Sequence, residues 1–354
     1  MSEGHRRPPR IAVLGTGAIS QIVHVPMLAE RDDVELVALS DQDVAKARTV
    51  AQRVGVAEAV EPGAVLEIPD LDAAVIATPN AFHEEMAVAA LEAGLHVFVE
   101  RPLALTPAGA ERVLAAARDA GRVLVVGLPH RFRPDVAALR SFVAGGELGR
   151  VHTMRGSWLT RPIPVMKPTW RQDPEIAGGG ALLDLGIPAL DLTLWLLDHP
   201  RVERVACTVA DGEVGTENAA SLLAAVEGGI TLSVEVNRRY FASQDRFHAR
   251  VMGAEGSGSL PPLEIFKQLG GRPLDVTPRQ PRPRGGENPY SNAYRRLIDH
   301  FVRALCGQVE APLPTEQVGL MTLVEAAYRS ARSGQEEAVQ EHAVPRDAAT
   351  EEAV

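Results

Sequence analysis

The sequence predicts an α/β fold in two units, a doubly wound parallel sheet followed by an α/β unit with a large, mostly antiparallel open sheet. Three observations predict it. An apolar run ends abruptly in two glycines spaced by one residue, in RIAVLGTGAIS from Arg10 to Ser20. Short apolar strands then alternate with helical segments as far as residue 127, the pattern of a parallel sheet wrapped by helices. Beyond Pro129 two alternating runs, SLLAAV and ITLSVEV, meet across Gly228 and Gly229, the pattern of an antiparallel hairpin.

In chain order, the first nine residues, MSEGHRRPP, read as a loose arm with no apolar run of the kind a secretory signal needs. Residues 11–14 form a short buried strand. Gly15 and Gly17 allow a tight turn and close approach of backbone to a pyrophosphate, which the helix start at Ala18 and Ile19 would bind through free N–H groups. Ser20 stands at the third position of this fingerprint, where glycine is usual. Taken alone, the match also describes an ordinary strand-to-helix turn. Context favours the cofactor: a second strand, 36–39, leads to Asp41, about twenty residues past the fingerprint, where a carboxylate accepts both hydroxyls of an adenine ribose and repels a 2′-phosphate. The expected cofactor is NAD rather than NADP. Lys46, Arg48 and Thr49 do not directly follow Asp41, so no obvious phosphate clamp competes.

Further strands are expected near Ala59 and at 73–77, 95–99 and 123–126, completing a Rossmann unit over residues 10–128. The clearest helix runs over 81–93, places Met86, Ala89, Ala90 and Ala93 on one apolar face, and ends at Gly94. The second unit, 129–333, has strands at 151–158, 202–209 and 247–252 and helices at 134–144, 180–197 and 290–305. A last helix over 315–332 buries Leu320, Leu323, Val324, Ala327 and Ala331. Residues 334–354 are acidic and poor in large apolar side chains, so they read as a frayed tail.

Composition narrows the function classes. With 354 residues, 45% of them hydrophobic, the chain can bury two separate cores. A net charge of -10 argues against nucleic acid or an anionic membrane as the main partner, and no apolar run approaches a membrane span. Cys207 and Cys306 lie far apart in no metal-like spacing. A reducing, cytoplasmic setting with neither disulfide nor metal is expected.

Candidate site residues cluster where strands end. Thr78, Pro79 and Asn80 follow the fourth strand, at the carboxyl edge where open α/β sheets bind ligands, and would line the nicotinamide ribose. Asn80 serves equally as a helix N-cap. His83, in the first helical turn, fits a surface or capping role as well as a cofactor contact. Glu100, Arg101 and Pro102 end the fifth strand, from which side chains reach the nicotinamide face, and His130 and Arg131 follow the sixth. Lys167, Trp170 and Arg171 belong to the proline-rich loop RPIPVMKPTWR, which could close as a lid.

GTGAISQIVHVPML, ATPNAFH, ERPLALT and GGGALLDLG, in that order and spacing, resemble the Gfo/Idh/MocA family of nicotinamide-dependent oxidoreductases over residues 10–333. The resemblance implies a Rossmann domain joined to an α/β domain whose open sheet carries the substrate site and often mediates oligomerisation. It also implies activity on sugars, polyols or related cyclic alcohols. His24 falls at a family motif position, where it would fix the helix against the sheet. Two departures stand out. The family's usual Glu-Lys-Pro, whose lysine takes part in catalysis, is here Glu100-Arg101-Pro102, and its Asp-x3-His-x2-Asp is here Asp184, Pro188 and Asp191. A guanidinium stays protonated at any working pH, so Arg101 can orient and polarise a substrate oxygen but cannot act as a base. Pro188 removes the histidine and obliges the helix to kink or restart near Ile187.

A replacement proton carrier is sought among Asp184, His130, Lys167 and Tyr240. Asp184 fits a helix-turn acceptor and a substrate ligand equally. Arg101, Arg131, Arg161 and Arg171 all fall around the expected cleft of an acidic chain, which suggests an anionic substrate. Two functions stay open: an NAD-dependent dehydrogenase or reductase with an atypical centre, or a nicotinamide-binding protein without net redox turnover. A homo-oligomer, dimer or tetramer, is expected through the outer face of the second sheet.

Overall fold

A computed structural model describes residues 7–162, 169–210, 212, 215–280 and 288–340. The first sheet consists of β1 (Arg10–Leu14), β2 (Glu35–Ser40), β3 (Glu58–Val60), β4 (Ala73–Ile76), β5 (His96–Glu100) and β6 (Leu124–Gly127). Its strands are parallel in the order β3-β2-β1-β4-β5-β6. Chain order reverses between β1 and β4, which opens a crevice at the carboxyl ends of the strands. Around the sheet lie α1 (Val25–Ala29), α2 (Val44–Val54), α3 (His83–Glu92) and α4 (Pro107–Ala120). Local chemistry sets their ends: Asp43 and Thr106 cap α2 and α4, and Gly55, Gly94 and Gly121 follow α2, α3 and α4 in left-handed conformation.

A helical segment of π form, Ser20–His24, runs into α1, with Pro26 in the first turn of α1. Lacking an N–H, Pro26 cannot bond the carbonyl four residues back, and Val25 N–H instead reaches Ser20 O. The second unit repeats the device.

That unit contains α5 (Pro134–Ala144), α6 (Pro174–Ala177) and α7 (Ile187–Leu196) beside β7 (Val151–Leu159), β8 (Val202–Ala210), β9 (Ala219–Val226), β10 (Ile230–Asn237) and β11 (Arg246–Gly253). The chain then forms β12 (Gly256–Leu260), β13 (Glu264–Leu269), β14 (Arg272–Asp275), α8 (Pro289–Leu305), α9 (Glu316–Ser333) and β15 (Glu337–Ala338). Nine strands run β14-β13-β12-β11-β7-β10-β9-β8-β15, antiparallel except where β10 lies parallel to β7. The glycine-joined hairpin is β9–β10, with Gly228 and Gly229 both at positive φ. The helix expected over 180–197 splits as its proline requires: a π segment, Leu182–Gly186, precedes α7, which holds Pro188 in its first turn.

Four features differ from the sequence reading. The stretch Pro174–Leu196 is long and apolar enough to span a membrane, but it is mostly buried inside the fold and supplies core contacts. Helix α8, which sequence order places in the second unit, packs Tyr294, Leu297, Ile298, Phe301 and Val302 against Ile11, Val13, Val75 and Phe98 of the first sheet. The first π segment, α1 and α2 share that cluster through Val23, Val25, Met27, Leu28, Val50 and Ala51, and the strongly amphipathic α8 completes it. The start of the expected tail is ordered, because Glu337 and Ala338 pair with β8. Within the expected arm, Arg7 binds Asp72 at 2.5 Å and Glu35 N–H donates to Pro9 O.

Candidate active site

A cleft of about 570 Å3 follows the carboxyl edge of the first sheet, within the size range of ligand sites. Gly15 turns the chain at φ 93°, and a Cβ there would lie 2.5 Å from Ala77 O, so only glycine fits between β1 and β4. Gly17 faces open space. Ser20, buried, donates its hydroxyl to Gly15 O and ties the turn that a third glycine would otherwise shape. Asp41 Oδ2 accepts from Thr16 N–H at 2.8 Å, Thr16 Oγ1 at 2.7 Å and Lys46 Nζ at 2.9 Å. Burial alone would raise its carboxyl; these donors hold it at about 2. Lys46 is a correction to the sequence reading, since the first turn of α2 brings this cation back onto Asp41.

Every residue expected to hold the cofactor lines this cleft: Gly15, Gly17, Ala18, Ile19, Asp41, Thr78, Pro79, Asn80, His83, Glu100 and Arg101. Thr78 Oγ1 is buried without a hydrogen-bond partner among the described residues, a donor and acceptor waiting for a ligand. The glycine cradle, the ionised Asp41 and this hydroxyl fit a dinucleotide.

Several of these side chains have other partners. Asn80 does not cap α3; its Nδ2 donates to Ala177 O across the two units at 2.9 Å. His83 is neither a surface nor a capping residue but buried, with Nδ1 2.7 Å from Pro102 O and Nε2 2.9 Å from Thr78 O. Burial pushes its ring below the ordinary histidine range, against the pull of the two carbonyls. A neutral ring has one N–H, so it donates to one of the two carbonyls and faces the other without a proton. Glu100 is buried and fixed by His24 Nε2 at 2.8 Å and Tyr294 Oη at 3.0 Å.

Arg101, on the cleft wall, places Nη1 2.9 Å from Oδ1 of Asp184, which is not among the residues that line the cleft. Arg238 Nη2 lies 3.1 Å and Arg171 Nε 3.8 Å from Asp184 Oδ2. Burial would raise the Asp184 carboxyl, but Arg101 first, then Arg238 and Arg171, hold it at about 2. Asp184 is thus a permanent anion at neutral pH. Burial disfavours the Arg101 charge, yet Asp184 outweighs this and keeps the guanidinium above its already high range. Arg171 lines the cleft and stacks on Trp170, 4.3 Å from the ring centre.

Other candidates lie outside. His130 is buried behind the wall, stacked on Phe247 at 4.0 Å and edge-on to Trp158, and neither nitrogen has a partner among the described residues. Burial, then Arg133 and Arg101, lower its ring to about 3, so it is neutral, and it is not among the residues that line the cleft. Arg131 is no substrate ligand either: it forks onto the buried Asp191 and pairs with Glu316 at 2.8 Å. Tyr240 stacks under Arg246 and Arg161 pairs with Asp245 in the open. Lys167 lies outside the described residues.

Sequence reasoning missed Arg238, Tyr290 and Tyr294. Arg238 directly follows β10, a strand-end position of the kind that marked Arg101. The tyrosines sit one turn apart on α8, and no local pattern told that α8 returns to the first sheet.

Comparison with known proteins agrees with this architecture. Residues 9–128 match an oxidoreductase family with an NAD-binding Rossmann fold, and residues 136–259 match the GFO/IDH/MocA C-terminal domain. D-glucoside 3-dehydrogenase of Escherichia coli is 30% identical over 92% of this chain and 96% of its own length. D-xylose 1-dehydrogenase (NADP(+)) 2 of Haloferax volcanii is 28% identical over 91% and 97%. Among solved structures, GenD2 from gentamicin A biosynthesis, in complex with NAD, superposes with TM-score 0.82 at 25% identity, covering 96% of this chain and 99% of that one. Two family domains in tandem over one parallel and one open sheet leave a single conclusion: the chain belongs to the Gfo/Idh/MocA oxidoreductases, with an NAD-binding Rossmann domain.

Proposed function

We propose that this protein is an NAD-dependent dehydrogenase or reductase of a sugar-like compound that carries an acidic group near the reacting carbon. The observation that carries the reading is the convergence of Arg101, Arg171 and Arg238 on the single carboxylate of Asp184, with Arg101 and Arg171 also lining the cleft. Three guanidiniums against one carboxylate leave an excess of positive charge beside the cleft, which Arg101 and Arg171 line, and planar guanidinium forks suit carboxylate and phosphate. The relatives' names, D-glucoside 3-dehydrogenase, D-xylose 1-dehydrogenase and myo-inositol 2-dehydrogenase, supply the sugar and polyol frame.

In this reading Gly15 and Gly17 admit the pyrophosphate, Asp41 accepts from the adenine ribose, and Thr78 and Asn80 border the nicotinamide ribose. NAD, when bound, accepts or returns the hydride. Arg101 binds and polarises the reacting oxygen, and Asp184 positions Arg101, Arg171 and Arg238 without exchanging a proton. Both cysteines are free and Cys207 is buried, in keeping with a cytoplasmic, reducing setting. A homo-oligomer through the second sheet completes the proposal.

The test is NADH formation on a panel pairing neutral sugars and polyols (methyl glucoside, xylose, myo-inositol) with acidic counterparts such as uronates and sugar phosphates. The reading expects kcat/KM at least tenfold higher on the acidic member of a pair, and loss of that preference in Arg171→Ala. Equal rates on both members would remove the anionic substrate. A second reading, a nicotinamide-binding protein without net turnover, draws on Arg101 and Pro188 where the family has lysine and histidine. It would win if the protein bound NADH tightly but never exchanged hydride with any of the panel.

A further inference from the structure

The fold fixes which way a dinucleotide lies in the cleft. Asp41, after β2, takes the adenine ribose, and Gly15 and Gly17, after β1, take the pyrophosphate, so the nicotinamide falls across the switch point, at the ends of β4 and β5. There the cleft is lined by Thr78, Pro79, Glu100 and Arg101. Glu100 is only 8% exposed, a carboxylate almost withdrawn from water. His24 Nε2 lies 2.8 Å from its Oε1, and Tyr294 Oη lies 3.0 Å from Oε1 and 3.2 Å from Oε2. Gly127, its neighbour on β6, makes room for the group, since a Cβ there would lie 2.7 Å from Oε2. Burial would raise the Glu100 carboxyl, but His24 first, then Arg101 and Tyr294, hold it below the usual carboxylate range. Nδ1 of His24 is buried with no partner among the described residues. A second N–H there would be an orphaned donor, so His24 gives Glu100 a hydrogen bond without a cancelling charge. Arg101, the adjoining cation, is committed to Asp184.

We infer that Glu100 is the residue by which this site distinguishes the oxidised cofactor from the reduced one. NAD+ carries a positive charge on its nicotinamide ring; a hydride added to that ring brings two electrons and one proton and leaves NADH without the charge. A fixed carboxylate beside the ring therefore attracts NAD+ and is indifferent to NADH, with little water between to screen it. Of the two acidic residues that line the cleft, the other, Asp41, belongs to the adenine end. Tighter binding of the oxidised form lowers the potential of the bound couple, by about 30 mV for each tenfold in the affinity ratio. Glu100 thus makes bound NADH a stronger hydride donor. The inference needs only the nucleotide site of the family fold and stands whichever substrate the enzyme takes.

The test compares the dissociation constants of NAD+ and NADH by calorimetry, with no substrate present. Glu100→Gln keeps the shape and removes the charge. It should raise the NAD+ constant by about tenfold or more, the order expected of one charge pair at the effective dielectric of a protein, and the NADH constant by less than about threefold. Glu100→Asp, which keeps the charge, should hold the ratio of the two constants within about threefold of the wild type, and so should Tyr294→Phe, which removes one donor and leaves the charge. Should Glu100→Gln not fold, the triple variant His24→Leu, Glu100→Met and Tyr294→Phe removes the carboxylate together with its donors, orphans no polar group and carries the same expectation. A carboxylate that merely tied His24 and Tyr294 to the sheet would, on removal, weaken both cofactor forms alike. That result, no change in either constant, or a ratio moved as far by Glu100→Asp as by Glu100→Gln would overturn the inference. A wild type that turns over nothing on the panel, but loses NAD+ selectively in Glu100→Gln, would fail the dehydrogenase reading alone.

Discussion

His130 enters the fold as a neutral ring, since its surroundings of Phe247, Trp158, Arg133 and Arg101 penalise the charged form and lower its pKa from 6.5 to about 3. The unfolded chain therefore takes up this proton first as pH falls. Stability from this site is complete above about pH 6.5 and is lost at about 1.4 kcal/mol per pH unit below it. Between pH 7 and 5, His130→Phe should lose about 2 kcal/mol less stability than the wild type, measured by urea unfolding at each pH; parallel losses would contradict the assignment. Arg101 gives the complementary case. Arg101→Ala should cost substrate binding and rate together, and Arg101→Lys, which lacks the rigid fork and its hold on Asp184, should cut kcat/KM by about tenfold or more without a new basic limb. A strong gain on neutral sugars in Arg101→Lys would mark the arginine as an inactivating substitution and favour the non-redox reading. The strand-end positions of Thr78, Glu100 and Arg101 were legible because a parallel sheet exposes its carboxyl edge by rule. The roles of His83, His130 and Arg131 were not. Burial and partner choice decide those, and both depend on residues far away in sequence, such as Asp191 and Phe247.

Strands β1 to β6 and the β9–β10 hairpin were readable, because each is an apolar run bounded by glycine or acidic turns. By contrast β12, β13 and β14 left little signal: GSGSL carries small polar residues and RPLD is wholly exposed. The two π segments share one cause, a proline in the first turn of the helix that follows, and that cause was visible at Pro188. The geometry of α2 has a functional outcome. Capped by Asp43, it begins so close to β2 that Lys46 pairs with Asp41. A cation there offsets the carboxylate's repulsion of a 2′-phosphate. The wild type should bind NAD more tightly than NADP by calorimetry; Lys46→Ala should widen the gap by about fivefold, the worth of an exposed charge pair, and Asp41→Ala should narrow it. Tighter NADP binding by the wild type would reverse the cofactor assignment.

The nine-stranded sheet buries one face under α5, α7 and α9, through Met154, Leu222, Leu232, Val234 and Val251, and leaves the other open. Across that open face Leu223, Ser233, Arg155 and Arg250 sit side by side on β9, β10, β7 and β11. Leu223 is 54% exposed, and two arginines directly opposite each other are unfavourable neighbours unless something covers them. The face is more polar than its alternating pattern suggested. Light scattering at micromolar concentration should give a dimer or tetramer, and Leu223→Arg should shift it to monomer; a wild-type monomer would end that proposal.

Helix α8 changes what counts as a separable part. The first sheet draws part of its cover from a helix far downstream, and Glu100 draws its Tyr294 partner from 194 positions away. A fragment ending at residue 128 would contain every strand of the nucleotide fold yet lose the part of the Ile11, Val13, Val75 and Phe98 cluster that α8 supplies. The cofactor module of this protein is therefore discontinuous in the gene: transplanting it onto another scaffold requires grafting both ends, with Pro289–Leu305 carried along as part of the same cassette.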